Sequence, residues 1–237
     1  MSESVLQIRI RRLLEFFDGK PPDSKKHATA IASVCGEDLG CGLLRHYFEA
    51  HRASVEVRPE PCTTGKRKGP RLDRWVRVQG AAELAAPDVL FQVEVKMWSA
   101  HAIGGKHLSL GATSEEVADY KRQTWQKEWH DVEGIKKAPL AKVLHRMTPP
   151  PGLGPVPIEP LACLWTALHP DGGAACLFSR PVPERQRRAL DTDFQRVWFF
   201  SMSAYLRSLS QRTIRVYMPD TARRIGWLSQ LLGAPGR

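Results

Sequence analysis

A chain of 237 residues, 42% hydrophobic and 25% charged, is long enough to bury a full core and has the composition of a globular domain. No stretch approaches the roughly 18 continuous apolar residues a membrane span needs, and five cysteines without a C-x-x-C pair leave a zinc site or disulfide framework unsupported and point to a reducing cytoplasm. The formal charge of +10 favours a polyanionic partner, nucleic acid before an acidic membrane surface, without fixing specificity.

The first segment, Ser4 to Phe17 (SVLQIRIRRLLEFF), is amphipathic and interrupted by arginines, so it lacks the apolar block of a secretory signal and is predicted as a docked helix. A second helix is predicted over Asp23 to Ala50, then an extended piece at Ser54 to Val57. Residues 59–70, PEPCTTGKRKGP, have the prolines and glycines of a loop. Its Lys66, Arg67 and Lys68, with Arg71 just beyond, are expected to contact a nucleic-acid backbone without reading sequence. Strands follow at Leu72 to Val78 and Val89 to Trp98. Ala100 to Gly111 is predicted to be a mobile connection; its Gly104-Gly105-Lys106 lacks Walker spacing and reads as a groove loop, with Lys106 facing nucleic acid. His101 and His107 in the same stretch read as ordinary loop histidines.

Thr113 and Glu116 are spaced for a capping box at the start of a helix over Ser114 to Val132. A short helix is predicted around Ala138 to Arg146, and TPPPGLGPVP (148–157) reads as an excursion. Leu161 to Leu168 and Ala174 to Phe178 flank a His-Pro-Asp-Gly-Gly turn, which is a hairpin signal. A helix over Thr192 to Leu209, a strand at Thr213 to Met218 and a helix over Thr221 to Leu232 complete the chain. Trp125, Trp129, Phe194 and Trp198 are expected in the core, and Arg185, Arg187 and Arg188 form a second basic group. The whole reads as one α/β domain, a central mixed sheet flanked by helices: an α-β-β-β-α-β core over about 25–168 with an N-terminal helix and a C-terminal α/β extension from about 170.

The chemistry concentrates in FQVEVKMWS, residues 91–99. At a period of two, Phe91, Val93, Val95 and Met97 face one way, and Gln92, Glu94 and Lys96 the other. Glu94 and Lys96 are therefore neighbours, either as solvated charges on an exposed face or as an acid and a base held together. In RLDRWVRV, the same alternation puts Leu72, Arg74, Val76 and Val78 on one face, and Asp73, Trp75 and Arg77 on the other. With the two strands adjacent, Asp73, Glu94 and Lys96 converge. On the preceding helix, Glu37 shares its stripe with Ala30, Val34, Cys41, Leu44 and Phe48, which predicts a carboxylate facing the sheet; Asp38 falls on the side of Arg45 and Glu49.

Glu37, Asp73 and Glu94-Val95-Lys96 in an α-β-β-β-α-β order resemble the PD-(D/E)XK, or restriction-endonuclease-like, nuclease superfamily over residues 25–168. Leu72 stands where the motif's proline would be, and the Q-x-x-x-Y signature of one branch is absent; Tyr120 and Gln123 stand in for polar residues of the second helix that contact nucleic acid. The resemblance implies a Mg²⁺-dependent nuclease, with Mn²⁺ able to substitute. Asp73, Glu94, the Val95 carbonyl and Glu37 would hold metal, and Lys96 would orient water or stabilise charge on phosphorus. DNA is the expected substrate, and prokaryotic defence or repair the implied setting. A homodimer, or a protein that activates or targets the chain, is the implied partner. The rival reading is a nucleic-acid-binding or partner-docking subunit of a larger complex.

Overall fold

The computed structural model describes residues 4–18, 25–65, 68–100, 107–108, 119, 140–169 and 175–232. In chain order these form β1 (Val5–Arg9), α1 (Ile10–Asp18), α2 (Lys25–Ala50), β2 (Ser54–Arg58), β3 (Cys62–Thr63), β4 (Arg71–Leu72), β5 (Arg74–Gln79), β6 (Asp88–Ala100) and β7 (His107–Leu108). A 3-10 turn (Ala141–Leu144), β8 (Ile158–Ala167), β9 (Leu177–Pro181), α3 (Glu184–Leu190), β10 (Arg196–Ser201), α4 (Met202–Ser208), β11 (Thr213–Tyr217) and α5 (Pro219–Leu232) follow. Apart from Asp119, the helix expected over Ser114 to Val132, with Trp125 and Trp129, lies outside the described residues, as do most of 100–111 and His101.

The centre is a mixed sheet of order β2-β5-β6-β8-β10-β9, with β7 paired to β6 off that path. The pairs β2-β5 and β5-β6 are antiparallel, β6-β8 and β8-β10 are parallel, and β9 turns back antiparallel at the edge. Helices cover both faces. On one, α2 packs against β5, β6 and β8, over a core that includes Phe48, Val76, Phe91, Val93, Leu161 and Phe200. On the other, the 3-10 turn and α3 close a second core around Trp75, Leu90, Val143, Leu164, Val197 and Phe199. Both faces of β6 are therefore covered, and Gln92 and Glu94, which an exposed face would have solvated, are fully buried. Among the described residues, no helix is long and apolar enough to cross a membrane.

α2 is itself sandwiched. Its outer side meets the two-stranded antiparallel sheet β1-β11. A Cβ on Gly40 would sit 2.6 Å from Val95 Cγ1, and one on Gly42 would sit 2.5 Å from the Tyr217 carbonyl oxygen. Glycine at these two positions lets the helix approach a strand on each side, at the expense of helix propensity.

Four sequence expectations are corrected. Val5–Arg9 is a strand paired with β11, and helix begins only at Ile10. The described part of the helix expected over Ala138 to Arg146 is a 3-10 turn, Ala141–Leu144. The hairpin between 161–168 and 174–178 is absent, because β10 inserts between β8 and β9. That insertion is the fourth correction: RVWFFS (196–201) is strand, and helix is confined to Met202–Ser208. A strand buried on both faces shows no alternation, so its periodicity does not separate it from a buried helix. Phe194 and Trp198 are in the core as expected.

Candidate active site

Asp73 occupies the break between β4 and β5. Its N–H donates to the Val93 carbonyl at 3.0 Å, while Arg74 is already the register partner of Val93, so two residues oppose one and the strand bulges. The bulge explains the imperfect alternation: Leu72 lies on the Trp75 side with the second core, while Val76 and Val78 face the first. It also turns Asp73 toward β6, where its Oδ2 accepts the Val95 N–H at 2.7 Å. Arg74 is held by Asp220 of α5 at 2.6 Å and donates to the Asp73 carbonyl at 2.8 Å.

Glu94 is 0% exposed. Its Oε1 is approached by the ammonium of Lys96, and by that of Lys142 at 2.7 Å. These approaches are at ion-pair distance without hydrogen-bond alignment, and Oε2 has no hydrogen-bonding partner among the described residues. Burial raises the Glu94 carboxyl above its ordinary value and the charge of Asp73 raises it further, while Lys96 and Lys142 oppose the shift. The two carboxylates are thus close enough to repel each other. The Lys96 side chain is 28% exposed and its Nζ also donates to the Val95 carbonyl at 3.3 Å, so that carbonyl, a candidate metal ligand, meets an ammonium here.

Glu37 and Asp38 exchange the places expected of them. Asp38 is buried and accepts the Thr221 N–H at the start of α5 at 2.7 Å; burial raises its carboxyl, and that hydrogen bond partly offsets the rise. Glu37 is exposed. The physical reason is the second layer on α2: α5 covers the flank that a solvent-facing Asp38 would need. Partial burial raises the Glu37 carboxyl and the charge of Asp73 raises it further, against the pull of Arg74, Lys96 and Arg224.

Sequence reasoning missed Lys142 and gave Gln92 no role. Gln92, two positions before Glu94 on the same face of β6, donates to the carbonyls of Val143 (2.6 Å) and His145 (2.7 Å) and accepts the Met147 N–H (3.1 Å). It fastens the 3-10 turn over the sheet, and the turn carries Lys142 to Glu94. No local pattern in APLAKVLHRM announces that contact; the lone signal is an amide in a strand position where water is excluded. Of the basic loop, Lys68 and Arg71 are exposed, and the Arg71 carbonyl accepts from Lys142 Nζ at 3.1 Å, so the β3-β4 pair borders the site. Lys66, Arg67, Lys106, Tyr120 and Gln123 lie outside the described residues.

The donor set can be tested for a hard divalent cation. Among the described residues, no group of three or more His, Cys, Asp or Glu side chains converges. Mg²⁺ does not require one, since one or two carboxylates with water and substrate phosphate complete its octahedron. A fully buried carboxylate with one oxygen unsatisfied beside a second carboxylate is a donor set that a cation would relieve. Asp73 and Glu94 fit that demand. Compared with models of known families, with curated proteins and with solved structures, the chain gives no match in any of the three.

Proposed function

We propose that this chain is a metal-dependent nuclease of PD-(D/E)XK type that hydrolyses phosphodiester bonds in DNA. The observation that carries the reading is Glu94: a carboxylate with no solvent exposure, raised by its neighbour Asp73, with Lys96 beside it and partly open to solvent. Charge buried at this density is costly for stability alone and is typical of sites that do chemistry. The order α2-β2-β5-β6-β8 and the proximity of Asp73, Glu94 and Lys96 support the same reading.

A bound Mg²⁺ would supply positive charge at the scissile phosphate and acidify water. Asp73 and Glu94 would hold it, Asp73 oriented by the Val95 amide. Lys96, whose side chain is part-exposed, would donate to a non-bridging phosphate oxygen, whose charge grows as phosphorus becomes five-coordinate. Glu37, more exposed and within the field of Asp73, would accept a proton or order a water at the mouth. Lys68 and Arg71 at the border would contact the DNA backbone.

A second reading, a subunit of a larger nucleic-acid-handling complex, draws on α5, which exposes Ile225, Trp227, Leu228, Leu231 and Leu232, the last two at 80% and 81%. Cleavage of supercoiled plasmid, linear duplex and single-stranded DNA with Mg²⁺, Mn²⁺ or EDTA decides between them. Metal-dependent cutting that disappears in Asp73→Asn and Lys96→Ala is the expected result. DNA binding without cutting by the wild type, unaltered in both variants, would leave the second reading standing.

A further inference from the structure

We propose that Lys142 is a second catalytic lysine of this centre: the counter-ion of Glu94 while the carboxylates are metal-free, and a contact to the scissile phosphate once they hold a divalent cation. This rests on the nuclease reading and adds to it a residue that no motif contains.

The placement of Lys142 is built. Its Nζ lies 2.7 Å from Glu94 Oε1 and donates to the Arg71 carbonyl at 3.1 Å, so it bridges β6 to the strand end that leads into Asp73. The turn that carries it is anchored through three hydrogen bonds by Gln92, which is 0% exposed, and through buried Ala141, Val143 and Leu144 on either side. The side chain is only part-buried, with 34% of it exposed. A lysine fixed at its backbone, with a part-exposed side chain, suits a group that must exchange partners.

The contact also differs from a structural ion pair. Lys96 and Lys142 both approach Oε1, and Oε2 is left without a hydrogen bond among the described residues. A pair selected for stability would spread two donors over two oxygens, because a buried carboxylate needs its lone pairs satisfied. With both ammonium groups on one oxygen, the other is left buried and unsatisfied, a demand that a cation would meet.

Formal charge gives the exchange its direction. Asp73 and Glu94 are balanced by Lys96 and Lys142. When the carboxylates hold a divalent ion, their charge is met by the metal and both ammonium groups lose their anionic partner. Counted over Asp73, Glu94, Lys96, Lys142 and the ion, the charge is then +2, opposite to the two negative charges of a five-coordinate phosphorane formed from a phosphodiester and hydroxide. In that step a water oxygen bonds to phosphorus and the bond from phosphorus to the leaving oxygen breaks. The proton lost by water passes to solvent and the leaving oxygen takes one up. Lys142 keeps its proton throughout and contributes charge.

The test uses the full chain with Mn²⁺ alone as the metal probe, followed by calorimetry, and single-turnover plasmid cleavage at saturating Mn²⁺. The proteins are wild type, Lys142→Met, which keeps the stem, and Lys142→Arg, with circular dichroism confirming the fold of each. Removing the competing ammonium should tighten Mn²⁺ binding about fivefold, and removing a phosphate contact should slow cleavage about 100-fold. Lys142→Arg should recover part of the rate. Tighter Mn²⁺ binding at an undiminished rate would reduce Lys142 to a counter-ion and overturn the proposal. Weaker Mn²⁺ binding together with a lost rate would make it a structural support for Glu94, and unchanged behaviour would remove it from the site; both overturn it. Failure of the nuclease reading itself looks different, since the wild type would then neither take up Mn²⁺ nor cut.

Discussion

The Val95 backbone N–H donates to Asp73 Oδ2 at 2.7 Å, so the residue between Glu94 and Lys96 also orients the aspartate of the neighbouring strand. The strand β6 thus serves the site twice, through side chains on one face and a backbone group at its edge. Asp73→Asn keeps an acceptor oxygen for that amide, whereas Asp73→Ala leaves it unpaired beside a side chain that is 5% exposed. The alanine variant should be less stable than the asparagine variant by about 1–3 kcal/mol in urea denaturation. Both should be inactive. Equal stability of the two would mean that the hydrogen bond does not position Asp73.

Gln92 offers a sharper separation of fold from chemistry. Its amide makes the hydrogen bonds described between β6 and the backbone of 143–147, and all of them are buried or nearly so. Gln92→Ala leaves two carbonyls and one N–H in need of partners, with an expected loss of about 2–4 kcal/mol. Native-state hydrogen exchange should show faster exchange at Met147, with β5 protected as before. Slow exchange at Met147 in the variant would show that apolar packing alone holds the turn.

The glycines of α2 should respond unequally to alanine. A Cβ at Gly42 meets a backbone carbonyl of β11, which cannot move without disturbing the β1-β11 pair, so Gly42→Ala should lose about 1–3 kcal/mol. A Cβ at Gly36 meets Met97 Cγ at 2.7 Å, part of an unbranched, half-buried side chain that can rotate away. There the gain in helix propensity, about 1 kcal/mol, should hold Gly36→Ala at or above wild-type stability. Thermal melts of both variants check the order, and a Gly36→Ala melt below that of Gly42→Ala would contradict it.

What was legible in the sequence follows from range. The faces of β6 and the adjacency of Asp73 to Glu94 depend on alternation within a strand and on a short connection, and both are readable from neighbours in the chain. The roles of Glu37 and Asp38 were inverted because helical periodicity marks one buried stripe, whereas α2 is buried on two sides and the second cover, α5, arrives from the far end of the chain. RVWFFS looked helical because both its faces are in a core. Val5–Arg9 becomes strand only because β11 pairs with it. Lys142 was invisible for the same reason: its partner is set by Gln92, across the sheet-to-turn contact, and by nothing adjacent to it in sequence.

Away from the site, His46 should govern part of the acid sensitivity of the fold. Its Nδ1 lies 2.5 Å from the Tyr205 hydroxyl, and burial holds the imidazole below its ordinary value, with Glu49 pulling weakly the other way. The facing phenols do not titrate in the same range: burial pushes Tyr47 to about 12 and Tyr205 higher still. The unfolded chain therefore takes up a proton at His46 near pH 6.5, where the folded chain resists it. Stability is fully present above that pH and falls as the pH drops from the unfolded value towards the lower folded one. His46→Gln retains a partner for Tyr205 and cannot titrate. Its midpoint of thermal unfolding should fall less than that of the wild type between pH 7.5 and 5.5 (values spanning about one unit either side of 6.5). Parallel declines in the two proteins would assign the acid sensitivity to other groups.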